Sequence, residues 1–484
     1  MSYISTIFWW FIIINSTLAI FTIFRDKTRD IASIWAWLLA LIMLPGIGFI
    51  AYLFFGRGMN DKDIYDIKQQ DQIGLRELKD TLTERYEHQH EAGDEVFSNN
   101  KKEMVSLFQG LDNAALTRDN EVDIYSDGKE KFDQLLEDIK QAKHHIHLVY
   151  YIFRGDKIGR AIVDALEEKA NQGVEVRVLY DPVGTRWMTR SFFKKLKSFG
   201  GQACPSFGER MHILNMRLNY RNHRKIVVID GKIGYTGGFN VGDDYLGEYP
   251  EMGYWRDTHV RIVGNGVLPL QTRFLTDWNA SADEAQQVPY DNQYFPIQET
   301  TGDVDLQIVS SGPDSTEQQI KKGFIKMISL ARESVYIQTP YLVPDDAVLE
   351  TIDIASKSGV DVHVMIPNKP DHPFIYQATL SYAEQLVEYG AHVHIYDGGF
   401  LHAKTIIVDD EMLSIGTANF DIRSFKLNFE VNTFMYSEKL AQAYHAQYMN
   451  DLQHAYELTP DIIANYSLWE RFKQQFSRLF SPIL

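Results

Sequence analysis

A single cysteine, Cys204, stands in 484 residues, which excludes an intrachain disulfide and any cysteine-rich metal centre. Basic charge is in deficit: 48 Lys and Arg against 65 Asp and Glu give a formal net charge of −17. A nucleic-acid binder normally shows a basic excess, so an anionic substrate would need a local basic pocket. Charge is missing altogether from two stretches, Ile4 to Phe24 and Ile31 to Phe55. Each is long enough to cross a bilayer as a helix, and the interval Arg25-Asp26-Lys27-Thr28-Arg29-Asp30 reads as the tight loop of a transmembrane hairpin over residues 1–58. Trp9, Trp10, Trp35 and Trp37 lie toward the run ends, where indoles favour the interface. The first run lacks the charged start and small-residue cleavage site of a signal peptide, and Pro45 with Gly46 and Gly48 should bend the second. The three basic residues of the loop are matched by Arg57, Lys62 and Lys68 beyond it, so a count of positive charge does not set the sidedness.

What is present is an ordinary globular composition, 45% hydrophobic and 23% charged, with room for two or three domains, and one chemical pattern written twice. His223-Arg224-Lys225-Ile226-Val227-Val228-Ile229-Asp230 returns as His402-Ala403-Lys404-Thr405-Ile406-Ile407-Val408-Asp409. Matched glycines, Gly237 and Gly416, and matched asparagines, Asn240 and Asn419, follow at the same distances. In an extended strand alternate side chains share a face, which sets His223 beside Lys225 and His402 beside Lys404. Asp230 and Asp409 fall on the opposite parity and open turns, so they suit backbone bonding better than substrate. A lone histidine in an apolar strand is most often a hydrogen-bonded core residue. Burying a histidine and a lysine side by side twice has no such explanation, since an unpaired lysine is costly in an apolar setting, whereas an anionic ligand shared between the copies removes the difficulty.

The surrounding elements repeat as well. Residues 59–118, with an acidic run around Glu91 to Glu95, read as a polar connector. From Glu121 come a strand, a helix over Phe132 to Ala142, a strand over His145 to Phe153, a helix over Ala161 to Ala170 and the strand Gly173 to Leu179. After Thr301 the order returns, with helices over Ile320 to Ala331 and Ala347 to Lys357 and strands at Val335 to Gln338 and Gly359 to Met365. Two copies at long period mean a duplicated α/β domain, residues 119–300 and 301–460, each a mixed sheet covered by helices. Each half offers one more acid, Asp257 and Glu430, as a candidate to fix the tautomer of a catalytic imidazole and stabilise its cation. His144-His145-Ile146-His147 and His392-Val393-His394 lack companion ligands at metal spacing and read as strand-surface residues. In 461–484, Leu468, Trp469, Phe472, Phe476, Leu479, Phe480 and Ile483 recur every three or four residues with Arg471, Lys473 and Arg478 between them. That is a basic amphipathic helix, suited to a membrane interface or to docking on the protein.

These motifs resemble the phospholipase D superfamily, whose members carry paired H-x-K-x4-D motifs, and more closely the bacterial cardiolipin synthases. The likeness runs through Ser33-Ile34-Trp35-Ala36-Trp37-Leu38 to Phe55-Gly56-Arg57, Arg221-Asn222-His223-Arg224-Lys225, Gly237-Gly238-Phe239-Asn240, Gly416-Thr417-Ala418-Asn419-Phe420-Asp421-Ile422-Arg423-Ser424 and the ending Phe480-Ser481-Pro482-Ile483-Leu484. Gly238 stands where many members carry serine, and the first half's supporting acid is an aspartate while the second half's is a glutamate. The resemblance implies two tandem phospholipase D-like domains packed face to face. It implies a phosphatidyl transfer in which two phosphatidylglycerol molecules become cardiolipin and glycerol through a phosphatidyl-histidine. His223, Lys225, Asp230, His402, Lys404 and Asp409 are then the catalytic set, and Lys225, Asn240, Lys404 and Asn419 hold phosphate. His223 is the nucleophile and His402 the general acid, one imidazole starting neutral and the other charged. Neither metal nor cofactor is needed. The implied partners are phosphatidylglycerol, cardiolipin and a bacterial cell membrane, with a homo-oligomer left open and nucleic acid disfavoured. A hydrolytic phospholipase D, or a transferase using another alcohol, shares every one of these residues.

Overall fold

The computed structural model describes residues 3–25, 31–52, 56, 98–112, 114–186, 188, 191–207, 220–248 and 253–481. Most of the expected connector, including Glu91 to Glu95, lies outside these residues.

The duplication is visible in the strand order. Across the first half the strands run Gln202–Pro205, Glu175–Tyr180, His145–Tyr150, Ile226–Ile229, Ile233–Gly237, His259–Val263 and Thr117–Tyr125. The second half mirrors this with Val304–Ser311, Asn428–Tyr436, Met412–Gly416, Thr405–Val408, Ser334–Gln338, Asp361–Pro367, His392–Tyr396 and a short Ala455–Glu457. Each sheet is mixed: His145–Tyr150 pairs in parallel with Glu175–Tyr180 and antiparallel with Ile226–Ile229, as Ser334–Gln338 does with Asp361–Pro367 and Thr405–Val408. Parallel neighbours need a crossover, and the helices Lys157–Asn171 and Asp346–Lys357 supply it. Both begin on an aspartate cap, Asp156 accepting from the Gly159 amide and Asp345 from that of Val348.

The halves pack as the resemblance implied and are joined in a way it did not. Inward residues of both sheets, Val149, Ile226, Val228, Val260 and Ile262 from one and Ile407, Leu413, Ile415, Val431 and Met435 from the other, share one buried cluster. In addition Thr117–Tyr125 pairs antiparallel with Val304–Ser311, so the two sheets are continuous at one edge and leave no free strand there. The end of the expected connector is part of this body: helix Asn99–Asp112 sends Met104, Val105 and Phe108 into the core of the second half.

One expectation needs correction. His145 and His147 are buried, not surface residues, because helix Val267–Asn279 and Tyr294 cover their strand; His147 stacks on Phe274 at 4.4 Å and bonds Gln271. His394 is also buried, with His363 at 2.9 Å. At the N-terminus, helix Tyr3–Arg25 is followed by Ile31–Met43 and Pro45–Ala51, the second run being divided at the proline that was expected to bend it. Among the described residues no helix is long and apolar enough to cross a membrane.

The helix Leu468–Arg478 does dock on the protein, with its polar side inward. Gln474 and Ser477 are buried, Arg478 donates to Gln385 at 2.8 Å, and the Tyr382 hydroxyl meets Ser481 at 3.1 Å. Trp469, Phe472 and Phe476 stack along the outer side at 5.4 and 5.9 Å and remain exposed, as do Leu468 and Leu479. Phe374 extends this patch, its ring 5.4 Å from Phe480.

Candidate active site

Both histidines end short segments that are stitched to the other half. Arg221–Asn222 runs parallel to Asn428 and Phe429, and the His223 amide donates to the Phe429 carbonyl at 3.0 Å. Phe400–Leu401 runs parallel to Trp255–Arg256, and the His402 amide donates to the Arg256 carbonyl at 2.7 Å. The next residue on each borrowed segment is an acid. Glu430 therefore reaches Nδ1 of His223 at 2.9 and 3.0 Å, and Asp257 reaches Nδ1 of His402 at 2.6 Å. Asp257 and Glu430, the expected orienting acids, bond the imidazoles crosswise: each meets the histidine of the opposite half. With Nδ1 held by a carboxylate, Nε2 is the nitrogen left for chemistry on both rings.

Glu430 is further fixed by the Thr417 hydroxyl and by Nδ2 of Asn428 at 3.2 Å. Asp257 accepts the Thr258 amide at 2.7 Å. Behind them lie two buried guanidiniums that sequence reasoning passed over. Arg224 grips Asp277 at 2.7 and 2.9 Å and donates to the Glu430 carbonyl at 3.2 Å, and Arg256 grips Asp451 at 3.0 Å through Nε. Arg224 lies inside the repeated motif and Arg256 precedes Asp257, so adjacency was the available signal; Asp277 and Asp451 gave none.

The lysines complete the cluster. Lys225 donates to the His223 carbonyl at 2.7 Å and Lys404 to that of His402, and all four side chains are buried. Burial pushes the Lys225 amine down to about 7 against the pull of Glu430, with Lys404 pushing the same way. Burial likewise takes Lys404 to about 8, opposed by Asp257 and Glu430. His223 falls to about 4 through burial, which outweighs Glu430, and His402 is lowered by burial and by Lys404. Lys404 acts on His223 and Lys225 on His402, so groups from both halves share one electrostatic site. Burial and the two lysines thus weigh against charge on either imidazole, and the two carboxylates weigh for it. An anionic phosphate between them reverses that balance.

The asparagines sit at the same depth. Asn240 accepts the Ile152 amide at 3.0 Å and donates to the Tyr245 hydroxyl at 2.5 Å; Asn419 donates to Asp421 at 2.9 Å. A side-chain amide has two N–H groups, so each retains one beyond these bonds. Asp230 and Asp409, included by the motif in the catalytic set, are occupied elsewhere. Asp230 accepts the amides of Lys143, His144 and His145 at 2.7 to 3.0 Å. Asp409 accepts those of Arg332, Glu333 and Ser334 at 2.8 to 2.9 Å. They pin the start of the neighbouring strand, as their parity indicated. Among the described residues no group of three or more His, Cys, Asp or Glu is arranged to hold a metal ion.

The surroundings of the two imidazoles differ. His402 lies among Trp255, Phe400 and Tyr245, with ring centroids at 5.7, 5.9 and 6.0 Å. His223 has Tyr151 edge-on at 4.9 Å.

Comparison with known proteins agrees with this geometry. A family model described as "Cardiolipin synthase, PLD-like domain" matches residues 135–264 and 324–452, and one described as "Phospholipase_D-nuclease N-terminal" matches 4–57. The chain is 48% identical over 473 residues to a cardiolipin synthase of Listeria innocua, covering 98% of both chains. It is 48% identical over 479 residues to the major cardiolipin synthase of Bacillus subtilis, again covering 98% of each. Among solved structures, phosphatidylserine synthase of Haemophilus influenzae superposes with a TM-score of 0.61 at 16% identity, over 79% of this chain and all of that one; this likeness is one of fold.

Proposed function

The chain belongs to the cardiolipin synthase family of the phospholipase D superfamily, is a phosphatidyltransferase of that type with cardiolipin synthase function, and from that premise we propose how its residues carry the transfer. The reading rests on one observation: two imidazoles, each held at Nδ1 by the other half's carboxylate, share a buried site with two lysines.

Nε2 of His223 attacks the phosphorus of one phosphatidylglycerol. The bond from phosphorus to the glycerol headgroup oxygen breaks, and Nε2–H of His402 delivers its proton to that oxygen. His402 holds this proton because the arriving phosphodiester raises its basicity, which burial and Lys404 lower in the protein alone. Lys225 and Lys404, with the remaining N–H of Asn240 and Asn419, hold the phosphate oxygens as phosphorus becomes five-coordinate. His402, now neutral, then takes the proton from the headgroup hydroxyl of a second phosphatidylglycerol, whose oxygen attacks phosphorus while the bond to His223 breaks. The products are cardiolipin and glycerol, and the phosphodiesters exchanged are alike, so the transfer is reversible. Purified protein given phosphatidylglycerol alone should release glycerol and cardiolipin in equal amounts, and His402→Ala should release neither. Phosphatidic acid as the main wild-type product would replace this reading with hydrolysis.

We propose further that the chain works at a bacterial cell membrane. The exposed aromatic face of Leu468–Arg478 supports this, because its buried polar side turns the apolar side outward, as in a helix lying in a lipid interface. Phe374 of this patch comes three residues after Asp371, whose charge acts on Lys404. Attachment through residues 1–58 in two passes is supported by the two uncharged runs and by the family match over 4–57, though no described helix alone is long and apolar enough. A label impermeant to membranes should reach Thr28→Cys and Asn60→Cys, in a Cys204→Ser background, from opposite sides; labelling from one side defeats two passes.

A further inference from the structure

A buried N–H with no acceptor stands beside the general acid. Trp255 comes two residues before Asp257 in an extended segment, so the indole and the carboxylate that holds His402 share a face. Its strand lies parallel to Phe400–Leu401 and in register with Phe400. This sets the indole among the rings around His402, with centroids 4.6 Å from Phe400, 4.9 Å from Tyr245 and 5.7 Å from His402. Trp255 is 8% exposed, and its Nε1 is buried with no hydrogen-bond partner among the described residues.

Two comparisons within the molecule set this donor apart. Trp278, also buried, gives its Nε1–H to the Gln286 carbonyl at 2.9 Å, the usual outcome for an enclosed indole. The place that matches Trp255 in the second half, two residues before Glu430, holds Asn428, whose Nδ2 is spent on Glu430 at 3.2 Å. Nε1 of Trp255 bonds neither its acid nor the backbone, and an indole N–H can only donate. Enclosing a donor without an acceptor costs free energy, and here that cost is carried where a substrate oxygen arrives.

The transfer itself indicates which oxygen. As the first headgroup departs, His402 protonates a terminal oxygen of its glycerol; as the second lipid attacks, His402 takes the proton from a terminal hydroxyl of another glycerol. In both steps the carbon next to the reacting oxygen bears the central hydroxyl, so that hydroxyl returns to the same place beside His402.

We propose that Trp255 recognises the headgroup: its Nε1–H donates to the central hydroxyl of glycerol, both when glycerol leaves and when a glycerol headgroup accepts, and so selects glycerol over a simple alcohol. This rests on the transfer reading above.

The test crosses one side chain with one hydroxyl, in the full-length protein and detergent micelles. Phosphatidylglycerol is compared with a synthetic phosphatidyl-1,3-propanediol, which keeps the terminal hydroxyl and lacks the central one, and kcat/KM for headgroup release is measured on each. Wild type should favour phosphatidylglycerol about tenfold. Trp255→Phe, which keeps a ring and removes the N–H, should reduce that preference to about twofold or less. The central hydroxyl also alters the basicity of the leaving oxygen, but equally for both proteins, so the change in preference isolates the contact. Trp255→Leu, which also lacks the donor, repeats the comparison if the phenylalanine variant does not fold. A preference as large in the variant as in wild type, the result if the N–H meets a phosphate oxygen or a water instead, overturns the proposal. So does a wild type that turns over the two lipids alike. Wild type that yields phosphatidic acid and no cardiolipin from phosphatidylglycerol overturns the transfer reading instead.

Discussion

The two halves have the same strands in mirrored order and the same histidine, lysine and asparagine, yet they furnish their imidazoles differently. His223 leans on Glu430, which is braced by Thr417 and Asn428, and has Tyr151 edge-on. His402 leans on Asp257, which has a backbone amide for support, and is ringed by Trp255, Phe400 and Tyr245. Where the second half has Thr417 the first has Gly238, and a Cβ there would stand 1.9 Å from Oδ1 of Asp257. A near-twofold backbone thus builds one cage with two linings, three aromatic rings around His402 and a single tyrosine beside His223.

The sharpest way to break this comparison is to remove the two acids separately. Asp257→Asn should cost about 10²- to 10³-fold in kcat with phosphatidylglycerol, within the usual range for loss of general acid–base catalysis. It should cost little with a nitrophenyl phosphodiester, whose leaving group needs no proton. Glu430→Gln should impair both substrates, because it disturbs the nucleophile. Equal losses for the two variants on both substrates would mean that the halves are not differentiated. Next in size is Gly238→Thr. It should displace Asp257 and lower kcat about tenfold with KM little changed, while Thr417→Gly, which removes a hydroxyl bonded to Glu430 and to the Val431 backbone but displaces no acid, should cost less; steady-state kinetics on both decide it.

The smallest effect concerns protons and is shared by both halves. Burial takes Lys225 down to about 7 and Lys404 to about 8 and lowers both histidines. A bound phosphodiester raises all four, so binding takes up protons. A group whose pKa rises on binding adds affinity fully below its free value and loses that gain as pH climbs through the bound value. kcat/KM should therefore be greatest on the acid side of neutrality and fall through pH 7 to 8, with proton uptake measurable in weak buffer at pH 8. A profile rising from pH 6 to 9 would contradict the depressed lysines.

Much of this was legible in advance because duplication leaves a periodic trace. Helices at Phe132, Ala161, Ile320 and Ala347 and their strands all formed within a few residues of expectation, since amphipathic spacing is a local property. The parity argument also placed Asp230 and Asp409 at turns, where each collects three amides. Harder to read were Asn99 to Asp112, whose polar composition hid three core residues, and the buried His145 and His147, whose cover comes from a helix more than a hundred residues away.

The sequence alone determined that there are two half-sites, which side chains they contain and what kind of anion they suit, because those facts are carried by spacing along one strand. Only the tertiary structure decided which acid holds which histidine, that burial weighs against charge on both imidazoles, and which aromatic rings surround each. Each of those depends on strands from opposite halves lying side by side and on the exclusion of water between them, and neither pairing nor dielectric is written in local order.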